Sequence, residues 1–104
     1  MFTKPMSHIH IKQGHALSQE TVRERVESIA KDLHRQYKIN YAWQGNRLLF
    51  KRQGATGHLD LGDGFIEMDI KLGLVLSPLK GKIEQTIRQD IKAQLSGSQG
   101  TRLA

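Results

Sequence analysis

Residues 65–83 read FIEMDIKLGLVLSPLKGKI, and this stretch decides the fold. From Ile66 to Leu72 apolar residues alternate with charged ones, which is the period of a strand with one buried and one solvated face. A continuous apolar run and the pair Ser77-Pro78 follow. A serine can cap the free amides at a helix start, and proline suits the first helical position. The stretch therefore predicts a strand followed directly by a helix.

The chain has 104 residues, which suits one domain around a single core. We expect that domain to span residues 7–95, with flexible segments at 1–6 and 96–104. The absence of cysteine excludes disulfides and cysteine metal sites and fits a cytoplasmic protein. No secretory signal is visible, and the longest apolar run is too short to span a membrane.

Upstream of the deciding stretch, residues 7–13 alternate and predict a first strand. Ser18 is then the expected cap of an amphipathic helix of about five turns, with Leu17 and Val22 at the spacing of a hydrophobic staple. Charges of both signs lie four residues apart on its polar side, such as Glu27 and Lys31, and predict an ordinary solvated face. Three short alternating runs near residues 39–43, 48–50 and 59–61, separated by turn residues, predict further strands.

A last helix is predicted from Pro78 to about Leu95. Gly81 in its first turn indicates a close backbone approach or a loose start. Its buried stripe recurs every four residues: Leu79, Ile83, Ile87, Ile91 and Leu95.

The predicted order is β-α-β-β-β-β-α, and two amphipathic helices with a one-sided sheet favour a two-layer α+β sandwich. The sheet is expected to be mainly antiparallel, with both helices on one face. The predicted inward residues of the strands are Ile9, Ile11, Tyr41, Trp43, Leu48, Phe50, Leu59, Leu61, Ile66, Met68, Ile70 and Leu72. The predicted outward residues are His8, His10, Lys12, Asn40, Gln44, Lys51, His58, Asp60, Glu67, Asp69 and Lys71.

The outward histidines His8, His10 and His58 could ligate a metal if their strands adjoin, but a polar open face is the favoured interpretation. The outward carboxylates could pair for acid–base chemistry, but we expect them to face lysines across strands. The carboxylates are Asp60, Glu67 and Asp69, and the lysines are Lys12, Lys51 and Lys71. No phosphate loop or nucleophile elbow is present. The sequence therefore predicts a protein without catalytic residues, metal or cofactor, and not an enzyme.

The net charge of +6 raises the question of nucleic-acid binding. Arg47, Lys51 and Arg52 form a basic hairpin edge, but the nearby aromatic residues Tyr41 and Trp43 are expected in the core rather than on a stacking platform. We therefore expect at most weak, salt-sensitive binding.

The more specific feature is the apolar corner, residues 74–79, where the predicted strand meets the predicted helix. A solid apolar run is unusual next to a strand with one wet face, unless something covers it. A lysine-rimmed corner suits docking to an amphiphilic surface or to a partner subunit, such as a second copy of the chain; closure by the fold itself is an equal alternative. Its apolar residues are Leu74, Val75, Leu76 and Leu79, and its rim is Lys71, Lys80 and Lys82.

Four segments carry a family resemblance: SHIHIK at residues 7–12, YAW at 41–43, LFKR at 49–52, and MDIKLGLVLSPLKGKIE at 68–84. Together they resemble the polyhydroxyalkanoic acid system family, in matching order over about residues 6–95. The resemblance implies a small bacterial cytoplasmic protein linked with polyhydroxyalkanoate storage, at or near granules. It implies no catalytic residue, and the chain lacks the long helical character of phasins.

Our first functional hypothesis is a non-enzymatic accessory protein of polyhydroxyalkanoate storage that uses the apolar corner to meet a granule or a protein partner. The alternatives are a carrier that holds an acyl ligand between sheet and helices, and a weak nucleic-acid binder.

Overall fold

Five strands and two helices follow one another in the predicted order, in a computed structural model that describes residues 7–95. The α+β fold class is thereby confirmed. The elements are β1 (Ser7–Gly14), α1 (Gln19–Tyr37), β2 (Asn40–Gln44), β3 (Arg47–Arg52), β4 (Ala55–Leu61), β5 (Phe65–Leu72), a 3-10 turn (Ser77–Leu79) and α2 (Lys80–Leu95). The segments predicted to be flexible, residues 1–6 and 96–104, lie outside the described residues.

All strand pairs are antiparallel, and the order across the sheet is β1-β5-β4-β3-β2. Strands β2 to β5 form a meander. The first strand lies beside the last, with Ser7 opposite Leu72 and Gly14 opposite Phe65.

The apolar face of the sheet is covered by both helices. On β5 the residues Ile66, Met68, Ile70 and Leu72 are at most 1% exposed, so the predicted alternation is confirmed. The helices add two buried stripes to this core: Val22, Val26, Ile29, Ala30 and Leu33 from α1, and Ile83, Ile87, Ile91 and Leu95 from α2.

Helix α1 begins as predicted and ends at a backbone position that favours glycine. The Ser18 hydroxyl oxygen accepts a hydrogen bond from the Thr21 amide at 3.1 Å, which confirms the cap. Leu17 is partly buried against the core, as the staple requires. The helix ends at Lys38, whose φ of 62° is left-handed and whose amide donates to the His34 carbonyl oxygen.

Tyr41 and Trp43 on edge strand β2 are only half-buried, because Glu27 of α1 binds their polar ends. The Trp43 indole donates to Oε1 of Glu27 at 2.7 Å, and the Tyr41 hydroxyl donates to Oε2 at 3.2 Å. The prediction that Glu27 lies on an ordinary solvated face is therefore wrong for this half-buried residue. Two neutral donors on the adjacent strand hold the carboxylate.

The start of the second helix also differs from the prediction. Ser77 does not cap it: the chain passes through the 3-10 turn without a side-chain cap, and the Ser77 hydroxyl oxygen accepts a hydrogen bond from Ser7 Oγ at 3.1 Å. Gly81 was predicted to mark a close approach or a loose start. The close approach is wrong, since a Cβ there would meet nothing within 4 Å.

A genuine close approach lies at Gly57 in β4. A Cβ at this position would collide with the carbonyl oxygen of Asp69 and would lie 2.8 Å from Cα of Ile70, both in the backbone of β5. The sheet therefore depends on the absence of a side chain where these two strands meet.

A carboxyl pair joins the two helices. Burial raises the pKa of Asp90 in α2 to about 7, and a hydrogen bond with Asp32 of α1 and the negative charge of Asp32 add to the rise. The pKa of Asp32 is lowered by its hydrogen bonds with Asp90 and Gln36 and by the charge of Arg35. We therefore assign the shared proton to Asp90, which donates to the ionised Asp32.

We expect Gly57→Ala to destabilise the fold by at least about 1 kcal/mol, because strand backbones must separate to admit the methyl group. Gly81→Ala is the matched control: it fills open space in a helix and should stabilise by a few tenths of a kcal/mol. Urea titration followed by circular dichroism measures both changes. Equal stability of the two variants would contradict the close approach at Gly57.

We expect the stability of the wild type, relative to Asp90→Asn, to fall as the pH rises from about 4 to about 7. The folded-state pKa of Asp90 is raised to about 7 from its ordinary value of 3.8, so its contribution is complete below pH 4 and is lost through this window. In Asp90→Asn the side-chain amide can still donate a hydrogen bond to Asp32, but it does not titrate. Melting temperatures across this range measure the difference, with Asp63→Asn in the exposed β4–β5 loop as the control. Parallel curves for wild type and Asp90→Asn would show that the pair does not govern stability.

Candidate functional site

The apolar corner projects from the end of β5, and its side chains divide into two groups. Leu74 is 73% exposed, Val75 67% and Leu79 40%, whereas Leu76 is only 5% exposed. Leu76 therefore belongs to the core, and its predicted place on a docking surface is wrong. The reason is that the chain turns inward at this residue to begin the second helix.

Backbone hydrogen bonds hold the corner in place. The Gly73 amide donates to the Gly54 carbonyl oxygen at 2.7 Å, and the Ser77 amide donates to the Gly73 carbonyl oxygen at 2.9 Å. Gly54 lies in the β3–β4 turn with φ of 89°, and a Cβ there would come within 3.7 Å of both Leu76 and Val75. The exposed leucine and valine are thus presented on a fixed turn.

The predicted basic rim is only partly free. Lys71 and Lys82 are exposed. Lys80 is half-buried and pairs with Glu84 at 3.1 Å. Hydrogen bonds from Arg88 and then from Lys80 lower the pKa of Glu84, so this carboxylate stays ionised and holds both cations.

On the outer face of the sheet, the carboxylates are bound by two imidazoles and one guanidinium. Nε2 of His8 lies 2.8 Å from Oδ1 of Asp69, and Nε2 of His10 lies 2.9 Å from Oε2 of Glu67. Asp60 accepts from Nε of Arg47 at 2.7 Å.

The prediction that the carboxylates face lysines across strands is confirmed in register for Glu67, which lies directly opposite Lys12, but the side-chain contacts of Asp69, Glu67 and Asp60 go to His8, His10 and Arg47. His8 and His10 lie directly opposite Lys71 and Asp69, so each imidazole reaches a carboxylate through a diagonal contact. In the part of the chain from residue 7 to residue 95, no three side chains of metal-ligand type are grouped to hold an ion.

Two of the three side chains of the predicted basic hairpin edge are held by other groups of the chain. Arg47 is held by Asp60, and Arg52 donates to the Tyr37 carbonyl oxygen at 2.7 Å and to the Gln53 carbonyl oxygen at 2.9 Å. Of the three, Arg47 alone forms an ion pair with a described residue, and Lys51 makes neither an ion pair nor a side-chain hydrogen bond with one. The aromatic side chains nearby lie on the helix-covered face, with Phe50 only 2% exposed.

Two cations near the corner were missed from the sequence. Lys51 lies in the same cross-strand row as Lys71, with Thr56 between them. Lys38 follows the end of α1, where Tyr37 is bound by Arg52 next to the β3–β4 turn. Counting the strand register back from the turns would have placed Lys51. No pattern in the sequence predicts the position of Lys38, because that position depends on how α1 packs on the sheet.

An open groove of about 350 Å³ lies at the edge between β1 and α2. This is the nearest counterpart of the predicted acyl pocket between sheet and helices, but its apolar floor is at most 7% exposed and already packed into the core. Its lining residues are Ile11, Gln13, Arg88, Ile91, Lys92 and Leu95.

Neither helix of the described chain is long and apolar enough to cross a membrane. A comparison with curated proteins gave no match. A family model with the description "Putative polyhydroxyalkanoic acid system protein" matches residues 9–95, from β1 to the last residue of α2. The match includes the whole apolar corner, and the chain belongs to this family of polyhydroxyalkanoic acid system proteins.

Proposed function

We propose that the chain is a non-enzymatic accessory protein of polyhydroxyalkanoate storage that docks through its apolar corner to the granule surface or to a protein on it. Family membership supports the link with polyhydroxyalkanoate. The exposure of Leu74, Val75 and Leu79 supports the place of docking.

The observation that carries the proposal is the contrast between the corner and the remaining surface. Apart from these three residues, Leu49 is the large apolar side chain that stands exposed among residues 7–95, at 37%. Leu74 and Val75 are adjacent and nearly twice as exposed, on a turn fixed by the Gly73–Gly54 hydrogen bond. An apolar group held rigidly in water loses little conformational freedom when a partner covers it.

In this proposal the chain catalyses no reaction and works where the storage polymer is deposited, in the cytoplasm. The carboxylates and imidazoles of the outer sheet face serve as a solvated surface, since His8, His10 and Arg47 each pair with a carboxylate there.

We expect the wild type to sediment with purified polyhydroxyalkanoate granules, and Leu74→Glu to weaken that partitioning at least tenfold. The substitution removes a large contact and requires a carboxylate to be desolvated on docking. Leu49→Glu is the matched control, because it makes the same chemical change at the middle of the open sheet face. Leu76 is unsuitable as a test position, since a charge there would enter the core.

Circular dichroism melts establish that the variants are folded. The proposal fails if the wild type stays in the supernatant, or if folded Leu74→Glu sediments like Leu49→Glu. Sedimentation of the free proteins shows whether the corner instead joins two copies, in which case Leu74→Glu alone would abolish a dimer.

A further inference from the structure

We propose that the surface recognised by the apolar corner is an anionic lipid layer, contacted by lysine side chains that surround the exposed leucine and valine. This inference rests on the proposed function, because it names the chemistry of the partner that the same corner meets.

Four exposed lysines lie at this end of the molecule without an acidic partner among residues 7–95: Lys38, Lys51, Lys71 and Lys82. Lys51 lies in β3, Lys71 in β5 and Lys82 in α2, and Lys38 directly follows α1, so no single sequence motif contains all four. Their ammonium groups are free to bind an external anion.

Contacts between elements bring these lysines to the corner. The β3–β4 turn contacts the corner through the Gly73–Gly54 hydrogen bond. Arg52, at the start of that turn, binds the carbonyl oxygen of Tyr37, which precedes Lys38. The Tyr37 hydroxyl in turn donates to the carbonyl oxygen of Lys82 at 3.5 Å. The end of α1, the start of α2 and the ends of β3 and β5 are therefore linked at the end of the molecule that carries Leu74 and Val75.

On the outer face of the sheet, the lysines without a carboxylate in their row lie at the end nearest the corner. The cross-strand row nearest the corner consists of His8, Lys71, Thr56, Lys51 and Asn40, and it contains no carboxylate. The next two rows contain the carboxylates: Asp69 in one, Glu67 and Asp60 in the other. Positive potential is thus concentrated where the apolar residues project.

This combination favours a lipid layer over a single bound molecule or a nucleic acid. Lysine ammonium groups on long flexible side chains bind headgroup phosphates without a fixed geometry, and the apolar side chains can enter the acyl boundary below them. Three apolar residues alone would bind a lipid layer weakly. Electrostatic attraction between nearby lysines and anionic headgroups supplies the rest of the binding free energy. A single-stranded nucleic-acid site typically adds aromatic side chains on which bases stack, whereas Tyr41 and Trp43 are bound to Glu27.

We expect the wild type to bind vesicles that contain phosphatidylglycerol and to bind vesicles of phosphatidylcholine alone at least tenfold more weakly. Each neutralised lysine should lower partitioning about fivefold, so Lys51→Gln/Lys71→Gln should lower it roughly 25-fold. Lys31→Gln/Lys92→Gln is the control, because it makes the same change in net charge away from the corner. Flotation of vesicles with bound protein measures all of these.

The inference is overturned if both lysine pairs weaken binding equally, or if Leu74→Glu binds the anionic vesicles like the wild type. Lipid-free polyester particles separate this inference from the proposed function. Binding to granules and to bare polyester but not to anionic vesicles would leave the proposed function standing and remove the lipid. Binding to anionic vesicles but not to granules would support lipid recognition and contradict the proposed docking to granules.

Discussion

The fold depends on the burial of one face of β5. Ile66, Met68, Ile70 and Leu72 cannot be left in water, and a sheet that is charged on its other face can bury them only under a layer placed on one side. Two helices supply that layer. The crossing of α1 over the sheet then carries the chain from β1, which pairs with β5, to the far edge where β2 begins. The position of the corner follows, because the chain leaves β5 at the end where α2 must start.

The parts of this architecture that the sequence predicted are those controlled by local periodicity. The alternation of β5, the stripe of α2 from Ile83 to Leu95 and the Ser18 cap each depend on residues close to one another in the sequence, so they could be predicted directly. Leu79, predicted as the first buried residue of that stripe, is instead 40% exposed in the 3-10 turn before α2. The face of the sheet to which each side chain points followed from the same period.

The predictions that failed concern side chains whose partners come from distant elements. Glu27 is predicted on an ordinary solvated helix face, but the aromatic residues of β2 hold it. Ser77 was assigned to a helix cap, but the hydroxyl of Ser7, brought beside it by the β1–β5 register, donates to it. Leu76 and Leu74 are two residues apart with the same side chain, and which of them is buried depends on where the chain turns toward the second helix and packs beside Gly54. Of the four free lysines near the corner, Lys38 and Lys51 were not predicted there, for the same reason.

The register between β1 and β5 also determines when the chain can fold during synthesis. Ser7 lies opposite Leu72, so the first strand made has no partner until most of the chain has been synthesised. The buried stripe of α2 extends to Leu95, the last described residue. Closing so long a loop makes the β1–β5 contacts slow to form compared with the hairpins of β2 to β5. In a nascent chain α1 and the meander can therefore form first, and the part of the sheet face that α2 covers stays exposed until α2 has been synthesised.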